Sequence, residues 1–220
     1  MKKHSRFFGI LFWLILWQCT AMLINRRVIL VTPIAAVKRL FELCTEPAFI
    51  RTVSNSFLRI GAGFAAGAVT GTVTAALSAR FAAAKAIISP FMSAVKAVPV
   101  ASFIIFALFF LKSSALSFLI SALMVMPVIY DAVEKGIENA DIRLVEAADI
   151  FALSPYKLAR YLYFPSVMPF LTAAFRTAAG LAFKSGTAAE VIGQPDFTLG
   201  DMLYRSKIYL ETADLFAWTI

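Results

Sequence analysis

Ten ionisable side chains crowd into about thirty residues: Asp131, Glu134, Lys135, Glu138, Asp141, Arg143, Glu146, Asp149, Lys157 and Arg160. Within this run Glu146 is followed by Ala147 and Ala148. A carboxylate beside two small residues suits docking better than bond-making, because the alanines let another backbone approach while the acid pairs with a basic group. Two further cations, Arg176 and Lys184, stand in apolar sequence. A charge at the centre of a membrane helix costs about 2.5–3.5 kcal/mol on insertion scales, so both should face protein or water. Either they help to line a path for anions, or Arg176 pairs with a neighbouring helix and Lys184 snorkels to an interface. No catalytic residue and no metal site are expected. Neither a Gly-x-x-x-x-Gly-Lys-Ser/Thr phosphate loop nor a His-Glu-x-x-His zinc motif occurs, and the single histidine, His4, reads as solvated in the amino-terminal tail.

The elements that must carry these residues are set by hydropathy. Hydrophobic residues make up 60% of the 220 positions and charged residues 15%, against about 25% charged in soluble domains. Several apolar runs approach the roughly 20 residues that cross a bilayer. The net charge of +8 comes from Lys and Arg scattered singly or in pairs, which fits basic loops beside membrane spans rather than a nucleic-acid surface. The expected fold is an all-α polytopic bundle in a single domain, 1–220. Five spans are complete, at about 7–24, 60–79, 94–111, 115–130 and 164–190, and a sixth opens at 213. The sixth stops after two turns, which predicts that the native chain continues. Residues 7–24 exceed a signal-peptide core and lack a small-residue cleavage site, so they are read as a retained span stopped by Asn25, Arg26 and Arg27. Between 34 and 44 the apolar positions recur at helical spacing, which predicts an amphipathic surface helix.

Gly63, Gly67 and Gly71 repeat every four residues in the second span, which puts them on one helix face where a neighbouring helix can approach closely. A short return loop holding Pro90 should connect to the third span, which begins before Pro99 and kinks there. Residues 131–163 are too polar for lipid and should form an exposed loop, followed after the fifth span by a polar loop at 193–212. Cys19 and Cys44 should lie at different depths and serve as structural residues rather than a disulfide. With the amino terminus inside, ten Lys and Arg fall on the inner side and nine on the outer. The basic tail before the first span then favours an inside start.

In the charged loop, 141–152 reads as a short amphipathic helix with Asp141 as N-cap, and Ser154 and Pro155 open a second helix that ends at Pro165. Glu146-Ala147-Ala148 is followed by three residues, Ala152, nine residues, Leu162, Tyr163, Phe164 and Pro165. This resembles the EAA loop of ABC importer permeases, in which Glu-Ala-Ala is followed by three residues, Gly, nine residues, Ile, one residue and Leu-Pro. Glu146, Ala147, Ala148, Pro165 and the spacings match. Ala152 stands where Gly is usual, which makes the corner less permissive. Ala189-Glu190-Val191-Ile192-Gly193 and Thr198-Leu199-Gly200-Asp201-Met202-Leu203 are similar to signatures of the sulfonate, nitrate and taurine type, with Thr198 replacing a Gly.

The resemblance implies a multi-pass permease of the bacterial cytoplasmic membrane that pairs with a second copy. It implies that residues 141–165 dock a cytoplasmic ABC ATPase dimer, which binds the ATP and Mg, and that an extracytoplasmic binding protein delivers the substrate. This chain would bind no cofactor and no nucleic acid. The substrate implied is a small anion such as a sulfonate, nitrate or taurine, with thiamine-precursor pyrimidines as the alternative. A scaffold of an energy-coupling vitamin transporter is a weaker resemblance, carried by Ser78-Ala79-Arg80 alone. An ion-driven secondary transporter would want intramembrane acids and internal repeats; the first four spans contain no acid and the chain no repeat.

Overall fold

The computed structural model describes residues 2–24, 26 and 28–220, with side chains from residue 8 onward apart from that of residue 149. The expectations for the His4 side chain and for Asn25 and Arg27 lie outside the described residues. The helices are α1 (Lys2–Ile24), α2 (Pro33–Cys44), α3 (Pro47–Arg80), α4 (Ala82–Ala97), α5 (Val100–Leu108), α6 (Ser113–Glu138), α7 (Ile142–Ile150), α8 (Pro155–Leu158), α9 (Phe164–Gly193), α10 (Leu199–Ile208) and α11 (Thr212–Thr219), with a π-helical turn at Ala159–Tyr163. The chain divides into two compact units, Phe57–Gly193 and the remainder.

In the larger unit α6 is the most enclosed of the long helices and α9 the most exposed. Glycine registers give the directions. A Cβ on Gly63 would strike the Phe118 carbonyl, one on Gly67 would lie 2.5 Å from the Ala122 oxygen, and one on Gly71 2.5 Å from the Met126 oxygen. The numbers rise together, so α3 and α6 run parallel in close backbone contact. Against α9 the numbers run oppositely: a Cβ on Gly136 would meet the Val167 Cα at 2.6 Å, and Ser121 Oγ donates to the Ala182 carbonyl at 3.1 Å. Ile60, Val125, Ile129, Tyr130 and Ala182 fill the core between the three helices.

Two parallel helices joined in sequence need a crossover that returns the chain to the starting level. Helices α4 and α5 make it, meeting at 100° across a two-residue break. Met92 packs in the core beside Ile129 and Tyr130, whereas Ile104 and Ala107 pack beside Leu116 and Ile120, so the pair travels the length of α6. The expected kink at Pro99 is thus a full break. Val98 before the proline is extended, at φ −80° and ψ 134°, because the proline ring disfavours helix at the preceding residue. The expected return loop around Pro90 is helix α4, whose Lys85 lies 2.9 Å from Glu134 and 3.2 Å from Glu138, and whose Lys96 lies 2.9 Å from Asp131.

Other boundaries also move. Helix α6 continues eight residues beyond 130, because Ala132, Val133 and Gly136 keep its buried face apolar while Asp131, Glu134 and Glu138 meet α4. The expected loop at 131–163 is therefore helical at both ends. The helix opening at Pro155 does not stop at Pro165 but runs through to Gly193. The π-helical turn lets the Phe164 N–H bond to the Ala159 carbonyl, five residues back, which shifts the hydrogen-bond register just ahead of a proline that has no N–H to offer. The second span is the latter part of a 34-residue helix, and the polar segment at 193–212 contains α10. Among the described residues three helices are long and apolar enough to cross a membrane, or four if the bent pair is one span; five spans and the opening of a sixth were expected. Phe8–Ile24 of α1 is a further apolar helical stretch among the described residues, and α11 covers Thr212–Thr219.

The smaller unit is held by polar ties. Thr32 caps α2 by accepting from the Ala35 N–H, with Pro33 at the first helical position. Trp17 donates to the Val31 carbonyl at 3.0 Å, and Trp17 and Phe49 face Phe216 and Trp218 of α11 with ring centroids 5.4 and 5.3 Å apart. Leu199 N–H donates to Ser56 Oγ at 2.8 Å, and Arg51 lies 4.1 Å over the Phe197 ring. Cys19 and Cys44 are free and exposed.

Candidate functional site

Residues 141–163 fold locally for identifiable reasons. The Asp141 carboxylate accepts from the Arg143 N–H at 2.9 Å and caps α7. At the other end Leu153 N–H reaches back to the Ala148 carbonyl at 3.0 Å, the six-to-one bond of a Schellman stop. That motif needs a left-handed residue between the last turn and Leu153, and Ala152 occupies the position with φ 47°. Glycine adopts this conformation freely and alanine at a cost. Ser154 then begins the next helix with Pro155 at its first position.

The resulting helix-corner-helix presents apolar side chains outward: Phe151 is 76% exposed, Ile150 81% and Tyr156 73%. Ala147, Ala148, Phe151, Leu153 and Leu158 line a shallow cleft of about 270 Å³. Glu146 is exposed, Ala147 half-buried and Ala148 buried. Among the described residues Glu146, Arg143, Lys157 and Arg160 make no ion pair within the chain, whereas Asp131, Glu134 and Glu138 are engaged by α4. Pro165 lies two residues beyond the π-helical turn and is exposed, so it shares a continuous helix with Pro155 rather than terminating one.

The remaining residues singled out by sequence lie elsewhere. Gly63, Gly67 and Gly71 sit at the α3–α6 contact. Arg176 and Lys184 are both exposed on α9 and make no hydrogen bond or ion pair among the described residues. Sequence reasoning missed Gly136 and Gly186, where α9 comes closest to α6 and α3: a Cβ on Gly186 would lie 2.5 Å from Ser121 Oγ and 2.7 Å from an Ile60 carbon. Neither glycine belongs to a four-residue row, so no spacing signal marks them. Glu190, noted only as part of a short signature, is completely buried.

Residues 64–219 match the family model described as the binding-protein-dependent transport system inner membrane component, and the chain belongs to that family. It is thus an inner-membrane permease component of an ABC transporter, a transport subunit rather than an enzyme, and membership implies an ATPase that uses the ATP and a substrate-binding protein as partners. A comparison with curated proteins gave no match.

Proposed function

We propose that the chain pairs with a second copy to form an importer channel, and that residues 141–165 are the coupling element that docks the cytoplasmic ATPase. The observation carrying this reading is the corner at Ala152, where a left-handed residue stands at the position of the usual glycine in the Glu-Ala-Ala pattern. Glu146 then offers a carboxylate to a basic group on the ATPase, Ala147 and Ala148 allow close backbone approach, and Pro165 follows in the helix that leads into the membrane.

The direction of the helices is consistent with one orientation. If the corner is cytoplasmic, α3 and α6 run inward, the α4–α5 pair returns outward, and α9 leads out again. A preceding crossing by α1 puts the amino terminus inside, in agreement with the basic residues Lys2, Lys3 and Arg6. The Ala189–Gly193 and Thr198–Leu203 signatures support a small anion of the sulfonate, nitrate or taurine kind as the substrate.

The test is co-purification of the tagged chain with its ATPase. Glu146→Lys and Ala147→Trp should abolish recovery of the ATPase while leaving membrane insertion unchanged. Normal ATPase recovery and transport in both variants would sink the coupling assignment. Uptake assays with nitrate, taurine and a hydroxymethylpyrimidine then decide the substrate, and pyrimidine uptake alone would replace the anion reading.

A further inference from the structure

A polar strip runs along the exposed face of α9, flanked by exposed apolar residues such as Phe170, Ala173 and Phe183, where a lipid-facing surface should be apolar throughout. Ala178, Ala182, Ser185 and Ala189 form its buried stripe. At 100° per residue, Thr172, Arg176, Gly180 and Lys184 lie on the opposite side, with Thr177 at their edge, and all five are exposed. The depth of the cations follows from their neighbours. Phe175 pairs with Phe64 at 5.8 Å between ring centroids, and Phe183 with Phe57 at 5.5 Å. Arg176, one residue beyond Phe175, therefore stands beside the apolar stretch of α3, and Lys184, one beyond Phe183, lies level with Phe57 at the end of that stretch. Between them a Cβ on Gly180 would meet nothing within 4 Å, so an open space lies between two cations about 12 Å apart along the helix.

Neither cation pairs with a neighbouring helix of the chain among the described residues. We infer that this strip of α9 faces an aqueous path completed by the second copy, and that Arg176 and Lys184 make the path selective for anions. The inference rests on the permease reading above. It adds the residues that discriminate and the sign of the charge they accept. Water between the two copies would solvate both side chains, and the paired strips would concentrate negative solutes.

A test that needs no knowledge of the native substrate uses thiol-reactive probes of opposite charge. Cys19 and Cys44 are free and exposed, so both are first replaced by Ser. Gly180→Cys is then expressed in native membranes with the complete importer, and Thr177→Cys serves as a second reporter should the first fail to assemble. Relative to each reagent's rate with a free thiol in solution, the anionic 2-sulfonatoethyl methanethiosulfonate should be favoured about tenfold over the cationic 2-trimethylammonioethyl reagent, and Arg176→Gln with Lys184→Gln should abolish the preference. Absence of reaction with either probe would show that the strip faces lipid or a dry contact, and equal normalised rates in the parent background would show a wet strip without anion selection; both overturn the inference. Recovery of the ATPase in the same membranes is scored separately, so a failure of the permease reading is told apart from a failure of this one.

Discussion

Arg39 of α2 donates to both carboxylate oxygens of Asp214 in α11, at 2.6 Å from Nε and 2.9 Å from Nη2, across 175 residues of sequence. The fork-to-fork geometry fixes orientation as well as distance. Hydrogen bonding to Asp214, opposed by partial burial and aided by the same carboxylate's charge, raises the affinity of Arg39 for its proton. Glu42 at 3.3 Å and Glu46 at 3.5 Å complete the cluster.

Asp214→Asn preserves the shape of this contact and removes its charge. It should destabilise the smaller unit by about 1–2 kcal/mol, since hydrogen bonds to charged groups contribute about 1.5–3 kcal/mol and this pair is partly solvated. Arg39→Gln should cost more because it also abandons Glu42 and Glu46. Thermal unfolding in detergent of the two single variants and the double variant checks the coupling; strictly additive losses would mean that the two side chains do not act together.

Gly67→Ala tests the α3–α6 contact. The added carbon would lie 2.5 Å from the Ala122 carbonyl oxygen and 2.9 Å from the Val125 Cβ, neither of which is a flexible chain end. Overpacking of this kind costs about 1–3 kcal/mol, so the midpoint of thermal unfolding should fall by several degrees. Gly61→Ala, which meets nothing within 4 Å, should leave it unchanged or slightly raised. Equal behaviour of the two variants would refute the close parallel packing.

Ala152→Gly should stabilise the helical corner. Removing the Cβ relieves a left-handed strain of roughly 1–2 kcal/mol, and the extra freedom of glycine in the unfolded chain returns about 0.5–1 kcal/mol of that. The net gain should be on the order of 0.5 kcal/mol, visible as slower proteolysis between α7 and α8. Ala152→Val should act in the opposite direction, because a β-branched residue tolerates positive φ least.

Single cysteines at Ser113 and Asn139, introduced after replacement of Cys19 and Cys44, test the parallel course of α3 and α6 with its α4–α5 return. These positions bracket α6. A membrane-impermeant thiol reagent added to intact cells should label Ser113→Cys and spare Asn139→Cys. Labelling of both from outside would mean that α6 does not cross.

What was legible in the sequence was periodic or local. The four-residue glycine row announced a packing face, and Asp141, Ser154 and Pro155 announced the helix ends beside Ala152. What the row packs against was not legible, since nothing in residues 60–79 points to Phe118 or Met126. Helix ends were misjudged where one face contradicted the other. Asp131, Glu134 and Glu138 made the end of α6 look like a loop, because their ion pairs to Lys85 and Lys96 are long-range while the burial of Val133 and Gly136 depends on α9. Pro165 looked like a terminator because a shift of hydrogen-bond register carries no composition signal. The Arg39–Asp214 tie joins segments too far apart for any pattern to connect.

The unbroken helix from Pro155 to Gly193, 39 residues and about 58 Å long, has a mechanical consequence. It is held against α6 at several points, Gly186 close on Ser121 and Gly193 on Leu116, and the first of these contacts along the helix is Val167 against Gly136. Measured from there, the Pro155 end lies about 18 Å to one side, while Arg176 and Lys184 lie about 14 and 26 Å to the other. Both cations therefore stand on the part of α9 that is clamped to α6 between Val167 and Gly193, so a push on the free Pro155 end would carry Arg176 and Lys184 together with α6 rather than pivot them past it.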